Sequence, residues 1–432
     1  MVTADFLLVH AGELLTLAGP AAPRKGRLSD ELGMILDGSL ASMEGRIVWV
    51  GPSDQVPDNV QLTPHATEFD VQSKVITPGL VDCHTHPVFS GTRQAEFAMR
   101  ARGEDYEEIA RKGGGILNSV ERTRQASTED LFNTALRHAG TMLAHGTTTL
   151  EAKSGYGLDL DTELRSLEVL RDLPGFTGQT VVPTYLGAHE VPAEYRDEPD
   201  AYVELIVERV MPLVAEKGLA RFVDVFCERG VFSVAQSRRI LQRAEELGLG
   251  LKIHADEFSD TGASALAVEL GATSADHLLA SGDQSVSLLA ESDTVATLLP
   301  GTALFLAKPF PDGRRFMDRG AAVAIATDFN PGSCFCESMP FIINLAVCEC
   351  GLNVEQALVS ATINGAFAVG LGDAKGSLEV GKDCDLLVWN ADDYRSIAYH
   401  LAVDDIDRVY ISAKQAVSRE RKVKSVSLED DR

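Results

Sequence analysis

FVDVFCERGVFSVAQSRRILQRAEELGLGLKIHADEFSDTGASALAVELGATSADHL, residues 222–278, carries the pattern that decides the fold. FVDVFCE (222–228), LKIHAD (251–256) and TSADHL (273–278) are short apolar runs of strand length, and SVAQSRRILQRAEELG (233–248) between the first two reads as a helix. The same alternation extends in both directions. Upstream lie VDCHTH (81–86), TTTLEAK (147–153) and TVVPTYLGAH (180–189), and downstream TVATLLP (294–300) and AVAIATD (322–328). TEDLFNTALRHAGTMLAHG and AYVELIVERVMPLVAEKG supply further helical segments between them. Eight βα units over roughly 250 residues is the count of a closed parallel (β/α)8 barrel of TIM type. The rival, a doubly wound open sheet, lacks a dinucleotide fingerprint after its first strand.

The chain changes style at both ends. FLLVHAGELLTL, GMILDGSLASMEGRIVWVG and VQSKVIT are β-rich and punctuated by Gly, Asp and Pro, and GSLEVGKDCDLLVWN (376–390) and DRVYISAKQAV (407–417) resume the pattern. We expect residues 1–75 and 376–420 to form one small composite β-sandwich domain, residues 76–375 to form the barrel, and 421–432 to be a flexible tail. Gly376 to Lys382 matches most of a P-loop. Asp383 stands where a hydroxyl should be, and strand-like DLLVW follows instead of a helix, so the glycines are expected to turn a hairpin. Gly113-Gly114-Gly115 offers loop backbone without the strand–helix context of a phosphate cradle.

At 432 residues, 45% hydrophobic and 24% charged, the chain has ample material for a large core. Its 39 basic and 64 acidic residues give a net charge of −25, which repels phosphate backbones and anionic lipid. We expect no nucleic-acid and no membrane partner. The longest uncharged stretches are broken by Pro, Gly, Asn and Thr, and the N-terminus has no basic region ahead of its apolar stretch. Seven scattered cysteines are no disulfide framework, and the Cys334/Cys336 and Cys348/Cys350 pairs read as core residues. A reducing, cytoplasmic setting is the expectation.

Polar residues at strand ends carry the functional signal. His84 and His86 are two apart and face one side of an extended chain. His189 ends the third run, His254 stands in the fifth, His277 in the sixth and Asp328 ends the eighth. In a parallel barrel all strand C-termini open on one face, and imidazoles or carboxylates buried there need partners. Imidazoles and a carboxylate without thiolate suit one divalent or trivalent ion, zinc or iron, with an open position for water whose pKa falls towards ~7. No second ligand set stands out, and the fourth run ends Cys227-Glu228 without a lysine that could be carboxylated to bridge two ions.

PGLVDCHTH, HPVFSGTRQAEFAMR, GGGI with ERTRQAS, EAKSGYGLDLDTEL, YLGAHEVP, VDVFCERGVFS, IHADEFSDTGA and TDFNPGS together resemble the amidohydrolase superfamily from residue 70 to 390. Within it the chain resembles the branch that hydrolyses the cyclic amide of 4-imidazolone-5-propanoate to N-formimidoyl-L-glutamate in histidine degradation. The β-rich ends are similar to that superfamily's composite sandwich. The resemblance implies a metal held by His84, His86, His254 and Asp328. It also implies substrate contacts at Arg93, Tyr156, His189, Asn330, Gly332 and Ser333, catalysis by Glu257, His277 and Asp328, and a homodimer acting on a small molecule. The chain departs from the family around Cys334–Cys336 and over its last forty residues.

Each role has a plainer counterpart. Arg93 holds a propanoate with its fork of donors or makes a surface salt bridge. Tyr156 reaches ligand or packs. His189 donates to a carbonyl or carboxylate, or satisfies a backbone group. Glu257, three past His254, takes a proton from water or is solvated, and Lys153 makes a structural ion pair or adds charge to the pocket. The expected reaction is attack by water on the ring carbonyl with Glu257 as base. His277 steadies the oxyanion, and Asp328 or Glu257 protonates the departing nitrogen. A mononuclear aromatic deaminase would share the metal set but has no use for Arg93, Tyr156 and His189. A non-catalytic scaffold would be expected to have lost ligands.

Overall fold

The computed structural model describes residues 1–104 and 114–418. Gly113 of the triple glycine and the tail expected at 421–432 lie outside the described residues. Among the described residues, eight parallel strands follow one another around a single sheet in chain order. They are β6 (Leu80–Asp82), β7 (Thr147–Lys153), β8 (Thr180–Ala188), β9 (Phe222–Cys227), β10 (Gly250–Ala255), β11 (Ser274–His277), β12 (Val295–Leu298) and β13 (Val323–Ile325). Each overlaps one of the eight apolar runs, although β6 ends at Asp82, so His84 and His86 lie just beyond the strand rather than on it. Beyond the strand ends β13 meets β6 through a parallel bridge between Thr85 and Phe329, and Asp328 N–H donates to His84 O at 3.0 Å. The barrel is therefore nearly closed.

Intervening helices cover the outside. Val234–Glu246 buries Ile240, Leu241 and Ala244 and starts in a capping box between Ser233 and Gln236, which satisfies its first free N–H groups. Strand β7 is buried along its whole length, as expected of a strand covered on both faces. Its period-two face puts Glu151 and Lys153 together inside the barrel, where Lys153 Nζ donates to Glu151 Oε1 and Asp224 Oδ2, both at 2.8 Å. Lys153 is thus engaged by two carboxylates within the wall, the structural ion pair of the two readings.

The second sheet is mixed. Its strands are β1 (Val2–Leu15), β2 (Met34–Met43), β3 (Arg46–Pro52), β4 (Val60–Asp70), β5 (Val75–Pro78), β14 (Leu386–Trp389), β15 (Ile406–Ile411) and β16 (Lys414–Ser418). The order is β16-β15-β14-β5-β1-β2-β3, with β4 running parallel to β1. Both faces of β1 are apolar. Phe6, Leu8, Ala11 and Leu14 pack with Leu40, Ile47, Ile76, Leu386 and Val388, while Ala4, Leu7 and Val9 pack with Ala41 and Val60. The ends of the chain are thereby joined in one element, and β5 hands the chain to the barrel.

Two local expectations are corrected. Strand β4 was not anticipated, because QLTPHATEFD is polar and mostly exposed and has no apolar alternation to read. The glycines at 376 and 381 do not turn a strand hairpin. Both have left-handed φ, of 80° and 92°, in a loop tied to the sheet by isolated bonds such as Gly381 N–H to Ile47 O, and the strand begins only at Leu386. No helix of the described residues is long and apolar enough to cross a membrane. Cys334 and Cys350 are buried, Cys336 is partly buried and Cys348 is exposed.

Candidate metal centre and pocket

The C-terminal ends of the barrel strands surround a cavity of about 640 Å³. His86, Arg93, Tyr156, His189, His254, Glu257, His277, Asp328, Asn330, Gly332 and Ser333 all line it. His84 is buried beneath them. Residues separated by up to 247 positions in sequence, from His86 to Ser333, thus share one chamber.

The floor is a cluster of imidazoles. His84 Nε2 and His86 Nε2 are 3.3 Å apart, and Asp328 Oδ1 stands 3.6 and 3.4 Å from them. His254 packs edge-on to His84 with ring centres 4.5 Å apart, and His277 lies 5.1 Å from His254. Three groups of possible ligands share His84 among the described residues: one with His86 and Asp328, one with His254 and His277, and one with Asp224 and Asp276. Outer partners set which nitrogen faces inward. His84 Nδ1 is 2.7 Å from Asp276 Oδ2, and His254 Nδ1 is 2.9 Å from Asp224 Oδ2 at ion-pair distance, though off the hydrogen-bond axis. With Nδ1 turned to a carboxylate, each ring presents Nε2 to the cavity. Thr302 Oγ1 donates to Asp328 Oδ2, leaving Oδ1 toward the histidines.

The site fits a metal on its chemistry. Burial holds His84 and His86 well below the usual imidazole pKa, so both are neutral donors. His86 Nδ1 and both nitrogens of His277 are buried without a hydrogen-bond partner, which is costly unless a ligand completes them. Three imidazoles and a carboxylate with no thiolate suit zinc or iron.

Above the floor, Glu257 Oε2 is 3.7 Å from His277 Nε2. Burial first, then Asp328 and Glu228, push the Glu257 carboxyl well above the usual carboxylate range, and burial lowers His277 to about 3. Glu228 fixes the loop after Glu257 by accepting from Phe258 N–H at 2.9 Å and Ser259 N–H at 3.1 Å. His189 Nδ1 lies 3.0 Å from Gly155 O, and a carbonyl only accepts, so Nδ1 carries the proton. Burial keeps the ring neutral, and its Nε2 is then an acceptor rather than a donor. Tyr156 is buried, and burial raises its pKa, so it remains a phenol O–H. Asn330 is engaged in its own turn: Nδ2 donates to Asp328 O and Ser333 Oγ, and Oδ1 accepts from Gly332 and Ser333 N–H.

Asp224, Asp276, Glu96 and Glu228 escaped the sequence reading. The argument applied to the histidines would have found the first two, since an aspartate within FVDVFC or SADH is equally poor core material.

Residues 75–426 match the amidohydrolase family profile. The imidazolonepropionase of Symbiobacterium thermophilum is 49% identical over 407 residues, covering 94% of this chain and 95% of that protein. The imidazolonepropionase of Syntrophobacter fumaroxidans is 45% identical over 406 residues, covering 94% and 96%. A zinc-bound adenosine deaminase from Xanthomonas campestris superposes with a TM-score of 0.71 over 96% of this chain and 93% of its own. At 19% identity that likeness is one of fold alone.

Proposed function

The chain belongs to the amidohydrolase family and, within it, to the imidazolonepropionases, and from that membership we propose the roles of its pocket residues. It hydrolyses the cyclic amide of 4-imidazolone-5-propanoate to N-formimidoyl-L-glutamate. His84, His86, His254 and Asp328 would hold one ion, zinc or iron, which supplies the Lewis acidity that makes water nucleophilic at neutral pH. The observation that carries the reading is the meeting of these four side chains with Glu257 and His277 at the base of a cavity whose other wall holds Arg93 and Tyr156.

In this reading Arg93 binds the exocyclic propanoate, and Tyr156 donates its O–H to the substrate. His189 Nε2 accepts a ring N–H, the role its tautomer suits. Asn330 shapes the turn that presents Gly332 and Ser333 to the ligand. Glu257 takes a proton from the attacking water as its oxygen bonds to the ring carbonyl carbon. His277, as a neutral imidazole, donates to the carbonyl oxygen as negative charge develops there. The C–N bond of the ring then breaks, and Glu257 or Asp328 delivers a proton to the nitrogen, leaving a carboxylic acid on the carbon that gives up its remaining proton to solvent as a carboxylate.

Purified protein should consume imidazolone-propanoate with loss of its ultraviolet absorbance and no ammonia. Ammonia release from an amino-substituted heterocycle, without imidazolone turnover, would move the chain to deaminase chemistry. A homodimer and a cytoplasmic setting complete the reading, supported by the family resemblance and by the spread of free cysteines. Light scattering of the pure protein gives the oligomeric state.

A further inference from the structure

Arg93 is the N-cap of the helix Gln94–Ala101, and its guanidinium is already engaged. Its Nε and Nη2 both donate to Glu96 Oε2, one turn along, at 2.9 and 2.7 Å. The same oxygen accepts Gly115 N–H at 3.2 Å. Glu96 is buried, and its Oε1 has no hydrogen-bond partner. Packing alone gives no reason to bury a carboxylate there, since an unpaired oxygen is costly. On the other side, Arg93 Nη1 occupies the space that a Cβ at residue 332 would need. Arg100 Nη2 donates to Gly332 O at 3.3 Å, so the backbone on that side is also held.

We propose that Glu96 is a positioning residue that fixes the guanidinium of Arg93 and thereby sets the length of acidic side chain the pocket accepts. The inference rests on the reading of Arg93 as the propanoate site. Of the five guanidinium N–H groups, Glu96 engages one on Nε and one on Nη2. The end formed by Nη1 and the second Nη2 hydrogen is left for the substrate carboxylate, in the bidentate geometry that carboxylates favour. A long side chain held in place before binding loses less freedom when the ligand arrives. It also stands at a set distance from the metal centre. A carboxylate on a chain one methylene shorter then cannot meet the guanidinium while its ring carbonyl reaches Glu257 and His277. Because Glu96 offsets the charge of Arg93, the pair reads the anion by placement more than by net charge.

The test uses the full-length, metal-loaded enzyme with imidazolone-propanoate and its acetate homologue. Glu96→Ala should raise KM for the propanoate by ~10-fold or more, with kcat within about threefold, and should narrow the propanoate preference by a similar factor. Glu96→Gln keeps an acceptor for Nε and Nη2 and should restore most of the loss. In an Arg93→Met background Glu96→Ala should cost nothing further, because its effect passes through Arg93. If Glu96→Ala does not fold, Glu96→Asp keeps the charge but withdraws the oxygen, and it too should narrow the preference. An unchanged preference, or an equal loss with and without Arg93, would overturn the proposal and leave Glu96 as a support for the backbone at Gly115. If Arg93→Met itself leaves KM unchanged, the propanoate-site reading fails instead.

Discussion

Glu257 and Gly332 show how single residues divide the work of the pocket. Glu257 is three residues beyond His254, and its carboxyl is raised by burial and by neighbouring carboxylates. Glu257→Gln keeps size and reach but accepts no proton, so kcat should fall at least ~10²-fold while KM changes little. As a base Glu257 must be ionised, so kcat/KM of the wild type should rise with pH through a limb above the ordinary glutamate value of about 4.3. The Gln variant should lose that limb, and a profile that keeps it would assign the titration elsewhere. Gly332 has no left-handed φ to protect, yet a Cβ there would collide with Arg93 Nη1. Gly332→Ala should therefore raise KM for imidazolone-propanoate by ~10-fold through a displaced guanidinium, with the melting temperature nearly unchanged. A large fall in Tm would show that the residue serves the backbone instead.

At the scale of elements, the site depends on sharp turns at the strand tops. Asp256, His277, Leu278 and Asp328 all have positive φ, between 51° and 82°, at or shortly after the ends of β10, β11 and β13. Non-glycine residues in that region cost about 1–3 kcal/mol each and persist where surrounding contacts enforce them. The loop after β7 has such an anchor. Glu163, in the helix Leu160–Asp172, accepts from Gly155, Gly157 and Leu158 N–H, the last two at 2.8 and 2.9 Å. It pins the backbone on both sides of Tyr156. Glu163→Ala leaves three donors without their acceptor and should destabilise the protein by about 1–3 kcal/mol, lower the Tm and raise KM together. Glu163→Gln retains an acceptor and should do much less. Equal effects of the two on Tm would point to charge rather than hydrogen bonding.

The whole molecule sets the terms for the metal. The barrel interior is a polar network in which Lys153 joins Glu151 and Asp224, and Lys252 Nζ stands 3.5 Å from Asp276, so each aspartate behind a histidine has a buried lysine behind it. Lys153→Met would strand two buried carboxylates and should cost about 3–5 kcal/mol in chemical denaturation. Metal analysis should give about one transition metal per chain. Two per chain would defeat the mononuclear reading. His254→Ala should lose both metal and activity while circular dichroism reports an intact barrel, because the site is an open one built on a fold with its own core.

The sequence by itself determined the eight-fold alternation and therefore the barrel, since strand and helix periods are local and every turn repeats them. It determined which imidazoles and carboxylates lie at strand tops, because that follows from position along each run. It also carried the family motifs around Tyr156, His254 and Asp328. It was silent on β4, whose polar residues have no alternation, and on the loop from Gly376 to Asp385, whose bonds run to distant strands. Only the tertiary structure decided which groups meet. His84 finds Asp276 across 192 residues, and His254 finds Asp224 from the neighbouring strand. Arg93 and Glu96 are close in sequence, yet Gly332, the residue that leaves room for the guanidinium, comes from the loop after β13, which reaches Arg93 only because β13 closes the barrel beside β6. The reason is geometric: period and composition fix which side of an element a residue occupies. The register between strands and the closure of the sheet fix which side chain it faces, and with that which nitrogen holds the proton and which edge of the guanidinium is free.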